Sequence, residues 1–180
     1  MRSITCINLA SLLLAGLAMP VAAAPDTLPS GCYARSYSIA HLVAHPDQVV
    51  ARMTLDFNYE PSLDIDGVAK GTPGVGVGVV LANQGHVARK SELREEFPNG
   101  MGWQAMETGL TCAVEGNAVR CDTGCGAGGF EVLQADDEAI TIRTSGLEVG
   151  QGQACGGFTN ITERPGVPVT FRLRRVTCGE

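Results

Sequence analysis

Hydrophobic and polar residues alternate along most of the chain from residue 49 onwards, which is the pattern of β-strands with one buried face. The alternation is clearest in segments 52–57, 130–132, 140–143 and 169–174. Short segments rich in glycine, asparagine or acidic residues separate these stretches, as expected of turns. We therefore predict about eight strands in a mostly β, single-domain antiparallel barrel or sandwich.

Segment 74–81 alternates in a different way, with valines on one face and Gly74, Gly76 and Gly78 on the other. A face without side chains allows close approach of an aromatic ring, a second backbone or a ligand. Between a bent barrel strand and a ligand-binding surface, the sequence favours the strand. We expect its glycine face to be closed, for example by the ring of Trp103 lying flat on the backbone.

One short helix is predicted close to the start of the strand region. Ser38 is a suitable N-cap, Leu42 supplies an apolar position, and Pro46 ends the helix. His41 and His45 are four residues apart and could share one helical face, as metal-binding pairs do, but the zinc-protease motif is absent. We expect a surface or capping role for both histidines and predict no metal site.

Segment 110–121 has the pattern of a β-hairpin that turns at Gly116 and Asn117, two residue types that tolerate positive φ. A two-residue loop places Cys112 opposite Cys121 at a non-hydrogen-bonded pair, where the side chains lie closest. The hairpin therefore predicts a disulfide between these two cysteines, facing the core.

The first 23 residues have the features of a signal peptide, with Arg2 at the start, an apolar run, and small residues before an expected cleavage after Ala23. Residues 24–180 would then form the single β domain, in the periplasm or outside the cell. The apolar run is too short and interrupted for a committed membrane span, so we expect none after cleavage. An uncleaved N-terminal anchor is the alternative.

Six cysteines follow the signal peptide, which in an exported chain predicts three disulfides. They are Cys32, Cys112, Cys121, Cys125, Cys155 and Cys178. A Cys32–Cys178 bridge would join the first element to the last, and Cys125 would then pair with Cys155. An exchange of partners among Cys121, Cys125 and Cys155 stays open.

Removal of Arg2 with the signal peptide leaves 12 lysines and arginines against 19 acidic residues, a net charge near −7. This charge disfavours nucleic acids and anionic membrane surfaces as partners. The expected partner is an unknown protein or small ligand of the cell envelope.

The sequence contains no recognisable catalytic or cofactor motif. Segment 64–67 is similar to the first half of a calcium loop, but Pro73 stands where the bidentate glutamate is required. The glycines of segment 74–78 lack the spacing of a dinucleotide-binding loop. We therefore predict no catalytic residue and no cofactor, and an acidic turn at 64–67 where a weaker cation site stays open.

Four stretches together resemble a group of small exported bacterial proteins of unassigned function that share a cysteine and glycine framework. They are Cys32-Tyr-Ala-Arg-Ser-Tyr, the His41 to Gln48 stretch, Cys121-x3-Cys125 and Phe171-Arg-Leu-Arg. The resemblance covers most of the mature chain. It implies export and a common cysteine framework, and it implies no activity.

These observations favour a non-enzymatic binding protein of the bacterial envelope, with inhibition of a partner as one form of binding. This is an analogy at the level of the fold. A small secreted hydrolase that uses Asp or Glu with His is the first alternative, and a structural envelope protein is the second.

Overall fold

The computed structural model describes residues 27–89, 104–150, 159–164 and 166–179, and its strands form a closed antiparallel β-barrel. The elements in chain order are β1 (Cys32–Ser36), α1 (Ile39–Ala44), β2 (Val50–Asp56), a 3-10 turn (Pro61–Leu63), β3 (Gly74–Leu81), a second 3-10 turn (Val87–Arg89), β4 (Gln104–Glu115), β5 (Ala118–Asp122), β6 (Gly128–Ala135), β7 (Ala139–Val149), β8 (Thr159–Asn160) and β9 (Val169–Val176).

Eight strands close the barrel, and each pairs with its neighbours in antiparallel fashion. Strands β1 to β7 follow one another around the barrel, β7 pairs with β9, and β9 pairs with β1. Strand β8 lies outside this ring and, among the described strands, pairs with the end of β7, where Glu148 is opposite Asn160. The prediction of a mostly β fold with one short helix is confirmed, and of the two predicted architectures the structure is the barrel.

The inward face of each strand is the apolar face that the alternation predicts. Val75, Val77 and Val79 of β3 are at most 2% exposed, and they pack in one core cluster with residues from every strand of the barrel. An eight-stranded barrel is just wide enough for such side chains to fill it. The largest fully buried core side chains are Tyr33, Met53, Leu55, Leu81, Leu110, Ile140, Ile142, Leu147, Ile161 and Leu173.

Two disulfides hold the described strands together. Cys112 is directly opposite Cys121 in the β4–β5 hairpin, with Cα atoms 4.1 Å apart, and the two are bridged as the hairpin predicts. The turn lies at residues 116–117, with Gly116 at φ 63°. The second bridge joins Cys32 on β1 to Cys178 after β9, so that it ties the first strand to the last.

Helix α1 begins and ends where its capping residues predict. The Ser38 hydroxyl accepts a hydrogen bond from the backbone N–H of His41 at 3.2 Å. His45 is the C-cap, and its backbone N–H donates to the carbonyl of Leu42. The predicted capping role of this histidine is confirmed.

Several predictions lie outside the described residues. These are the signal peptide of residues 1–23, the ring of Trp103, and the Cys125–Cys155 bridge, of which only Cys125 is described. In the portion of the chain that the structure covers, no helix has the length and apolar character needed to cross a membrane.

Candidate functional site

The outward face of β3 is covered in part by the loop of residues 57–73, which connects β2 to β3. The Tyr59 ring lies over Gly76 and over Gly109, the residue opposite Gly76 on β4. A Cβ atom added to Gly76 would be 3.6 Å from the Tyr59 ring, whereas one added to Gly109 would be only 2.6 Å from its Cζ atom. Glycine is therefore needed at position 109 for the ring to lie where it does.

Pro61 covers the next glycine of the same face. A Cβ atom on Gly74 would lie 2.7 Å from the Cδ atom of Pro61 and 2.7 Å from the carbonyl oxygen of Leu110. Of the three glycines of the predicted face, Gly74 is closed by Pro61, whereas Gly76 and Gly78 border an open groove, so the expected closure is found only in part. The covering ring that the structure describes belongs to Tyr59, to which the sequence pattern assigns no role.

Glu60 forms hydrogen bonds within the loop of residues 57–73. Its carboxylate accepts hydrogen bonds from the Ser62 hydroxyl at 2.7 Å and from the backbone N–H of Gly71 at 3.0 Å. Both bonds favour the ionised form and therefore hold the pKa of Glu60 below its usual range, and the bond from Ser62 has the larger effect. The bond to Gly71 links the two ends of the loop.

A groove of about 910 Å³ lies beside this loop, and we call it the glycine groove. Gly76, Gly78 and Gly109 contribute to its floor, Tyr59 and the 64–66 turn to one side, and the 123–127 turn to the other. The groove therefore brings together segments that are far apart in the sequence.

Acidic side chains dominate the charge of the glycine groove. Its described lining contains five carboxylates and no lysine, arginine or histidine. The five acidic residues are Asp56, Asp64, Asp66, Glu107 and Glu148. Such a lining creates a negative potential in a concave surface, which attracts positively charged groups.

The Tyr59 hydroxyl interacts with this charge directly. Desolvation by burial raises the pKa of Tyr59 above its usual value, and the nearby carboxylate of Asp64, which also hydrogen-bonds with the hydroxyl, raises it further. The phenol therefore stays protonated at neutral pH and donates to Asp64. The partly hidden Tyr59 ring connects the floor of the groove to its acidic side.

The far side of the groove is a tight turn after β5. The Asp122 carboxylate accepts a hydrogen bond from the backbone N–H of Gly124 at 2.7 Å, and the backbone N–H of Thr123 donates to the Gly128 carbonyl. Cys125 lies in this turn, is exposed, and lines the groove. Its predicted pairing with Cys155 stays a prediction.

One cluster of potential metal ligands occurs among the described residues, and it does not form a usable site. Cys32, Cys178 and Asp56 have ligand atoms within 4.8 Å of one another. The two sulfurs are bonded to each other in a disulfide, so that neither is available as a thiolate ligand. The cluster leaves a single carboxylate, which is too few for a metal site.

The three histidines lie away from the glycine groove. His41 and His45 line a separate cavity of about 260 Å³ next to α1, together with Glu163. The His86 ring hydrogen-bonds to the carbonyl of Thr162 at 3.0 Å. The acidic groove and the histidines are therefore two different regions of the surface.

Comparison of the chain with protein-family models, with curated proteins and with solved structures gave no match in any of the three. The resemblance to small exported bacterial proteins stays a prediction.

Proposed function

We propose that this chain is an exported, non-enzymatic binding protein of the bacterial envelope, and that its ligand occupies the glycine groove. The observation that supports the proposal is a groove of about 910 Å³ with five carboxylates in its described lining and no basic side chain there. Concave sites of this volume are typical of ligand binding.

The ligand should carry positive charge, because charges of opposite sign steer association and set specificity. It is either a basic segment of a partner protein or a small cationic molecule, and the shared chemistry is an ammonium or guanidinium group that faces the carboxylates. The ligand would contact the acidic sides of the groove, because the Tyr59 ring lies over Gly76 and the Thr54 side chain lies over Gly78.

Export is supported by the two intramolecular disulfides, Cys32–Cys178 and Cys112–Cys121. Disulfides form and persist in oxidising compartments, such as the periplasm and the extracellular space. The signal-peptide features of the N-terminus point in the same direction.

A charge-reversal experiment tests the proposal. The Asp66→Lys/Glu107→Lys variant places two positive charges in the groove at exposed positions. The control is Asp137→Lys/Glu138→Lys, which makes the same change of net charge in the exposed β6–β7 turn. Each variant serves as bait for capture from an envelope fraction, and each is titrated with spermidine and with an oligolysine peptide.

We expect the groove variant to lose the partners and cations that the wild type binds, and the control to keep them. If the wild type captures a protein but binds spermidine weakly, the ligand is a segment of a partner protein. If it binds spermidine tightly and captures no protein, the ligand is a small cation. If the groove variant and the control behave alike in both assays, the groove is not the binding site and the proposal is wrong.

The hydrolase alternative has one structural observation in its favour, which is the common cavity of His41, His45 and Glu163. However, the described hydrogen bonds of the His41 and His45 rings go to Gln48 and to a backbone carbonyl, and neither is a carboxylate that would orient a general base. The geometry therefore favours binding over hydrolysis.

A further inference from the structure

The second cavity lies at the end of the barrel where β1 ends and β2 and β9 begin. It has a volume of about 260 Å³, and Val50, Ile161 and Phe171 form an apolar floor that belongs to the barrel core. His41 and His45 stand on its helical side. An apolar pocket with a few convergent polar groups is the usual form of a small-molecule site.

The two imidazole rings are stacked, with centroids 4.1 Å apart and planes inclined by 21°. His41 also stacks on Tyr37 at 4.9 Å, and the Arg35 guanidinium lies 5.0 Å from the centre of the Tyr37 ring. Three of these stacked side chains, those of Arg35, His41 and His45, carry or can acquire positive charge.

Hydrogen bonds fix which nitrogen of each neutral ring carries the proton. The Gln48 amide nitrogen donates to the carbonyl of Val50 at 2.8 Å, so its oxygen faces His41 Nε2 at 3.0 Å, and this Nε2 must carry hydrogen. His45 Nδ1 is 2.8 Å from the carbonyl oxygen of His41, so it also must donate. The nitrogens that take up a proton are therefore His41 Nδ1 and His45 Nε2.

Protonation of both rings would place two positive charges in a stack 4.1 Å apart, and the Arg35 guanidinium lies over the adjoining Tyr37 ring. Like charges at this distance repel each other, and a bound anion relieves the repulsion. Glu163 lines the cavity with the pair, and the Arg35 guanidinium lies over the Tyr37 ring on which His41 stacks. Asp47, two residues after His45, forms an exposed ion pair with Arg164 at 3.9 Å. Glu163 is exposed, and it competes with an incoming anion.

We propose that this cavity binds a small organic acid, whose apolar body packs on the floor and whose carboxylate lies against the His41–His45 pair. Binding strengthens as the pH falls, because protonated imidazoles attract a carboxylate and neutral ones do not. The small volume limits the ligand to a single ring or a short chain.

Calorimetric titration with phenylacetate, hexanoate and benzoate tests the proposal, with phenylacetamide as the uncharged probe. We expect at least one of the three acids to bind about tenfold more tightly at pH 5.5 than at pH 8, because protonated imidazoles attract the carboxylate. The amide should show no such change. Failure of all three acids to bind at pH 5.5, up to about 10 mM, overturns the proposal.

Three variants locate the effect. His41→Gln/His45→Gln should remove the pH dependence, whereas His86→Gln, which changes a histidine outside the cavity, should leave it intact. Since the double variant could loosen α1, Glu163→Gln provides a second test and should strengthen binding of the acids a few-fold at pH 8. An unchanged pH dependence in a folded double variant, or weaker binding by Glu163→Gln, contradicts the proposal.

Discussion

The two faces of β3 are built in opposite ways. The inward face presents Val75, Val77 and Val79 to a core that side chains fill from all directions. The outward face presents Gly74, Gly76 and Gly78, on which the loop 57–73 rests in part. The inward face is stabilised by what its side chains contact, and the outward face depends on the absence of side chains.

This difference has a functional consequence. A packed apolar face has no room for a ligand, whereas a bare backbone face leaves space wherever the covering loop ends. Tyr59 and Pro61 occupy the part at Gly74 and Gly109, and the rest borders the glycine groove. Changes on the inward face should therefore affect stability alone, and changes on the outward face should affect the loop and the groove.

A charge on the inward face should have the largest effect. Val77→Asp places an uncompensated carboxylate in the core, where Val77 is 2% exposed, and should cost more than about 4 kcal/mol or prevent folding. Ala113→Asp, at an exposed position of β4 opposite Arg120, is the control and should change stability by less than about 0.5 kcal/mol. Urea unfolding followed by circular dichroism measures both. Equal losses in the two variants would contradict the assignment of faces.

The bridges should differ in effect because their loops differ in length. Cys32 and Cys178 are 146 residues apart, and Cys112 and Cys121 only 9. On chain entropy the long loop stabilises the fold by about 5 kcal/mol and the short one by about 3 kcal/mol or less. Thermal melts of the two double-alanine variants test this order, and a larger loss from removal of the hairpin bridge would reverse it.

The sequence predicts the inward face well, because period-two alternation depends only on residues that are neighbours in the chain. The Cys112–Cys121 bridge is equally local, since the turn at Gly116 determines which residues are opposite one another. These features need no knowledge of the tertiary structure.

The outward face could not be predicted in the same way. Tyr59 reaches Gly109 only because β2, β3 and β4 lie side by side, and no local pattern assigns a loop tyrosine to a glycine 50 residues away. The groove carboxylates come from β2, the 64–66 turn, β4 and β7, so their proximity also arises from the barrel. The available signal was a glycine face next to a loop that contains an aromatic residue, and the ring named as an example of a cover was that of Trp103 and not that of Tyr59.

Gly74→Ala should be the most damaging change on the outward face. The added Cβ atom meets the backbone carbonyl oxygen of Leu110 at 2.7 Å and lies closer still to the Cγ atom of Pro61, and a backbone atom cannot move cheaply. We expect a loss of about 1–3 kcal/mol in the free energy of unfolding. Denaturant titration measures it, with Gly71→Ala unsuitable as a control because Gly71 has a positive φ of 79°. A loss below about 0.5 kcal/mol would show that the strands can separate there without cost.

Gly109→Ala should act through Tyr59. Its Cβ atom collides with the end of the ring, which can swing away but then leaves Asp64 and the glycine floor. We expect a loss of about 1–2 kcal/mol, and a much smaller loss when the same change is made in a Tyr59→Ala background. The double-mutant cycle tests this coupling. Full additivity of the two changes would mean that Tyr59 does not rest on Gly109 in solution.

Gly76→Ala should have the smallest effect, and its sign separates two explanations of the glycine face. A Cβ atom at Gly76 lies 3.6 Å from the Tyr59 ring, an ordinary contact distance, and alanine restricts the unfolded chain more than glycine does. Stability should therefore stay unchanged or rise by up to about 1 kcal/mol. The larger Gly76→Val should instead lose about 1–3 kcal/mol by crowding the ring, and Tyr59→Ala should relieve that loss. If Gly76→Ala itself destabilises the fold by more than about 1 kcal/mol, the strand needs glycine there for its own backbone and not for the ring that covers it.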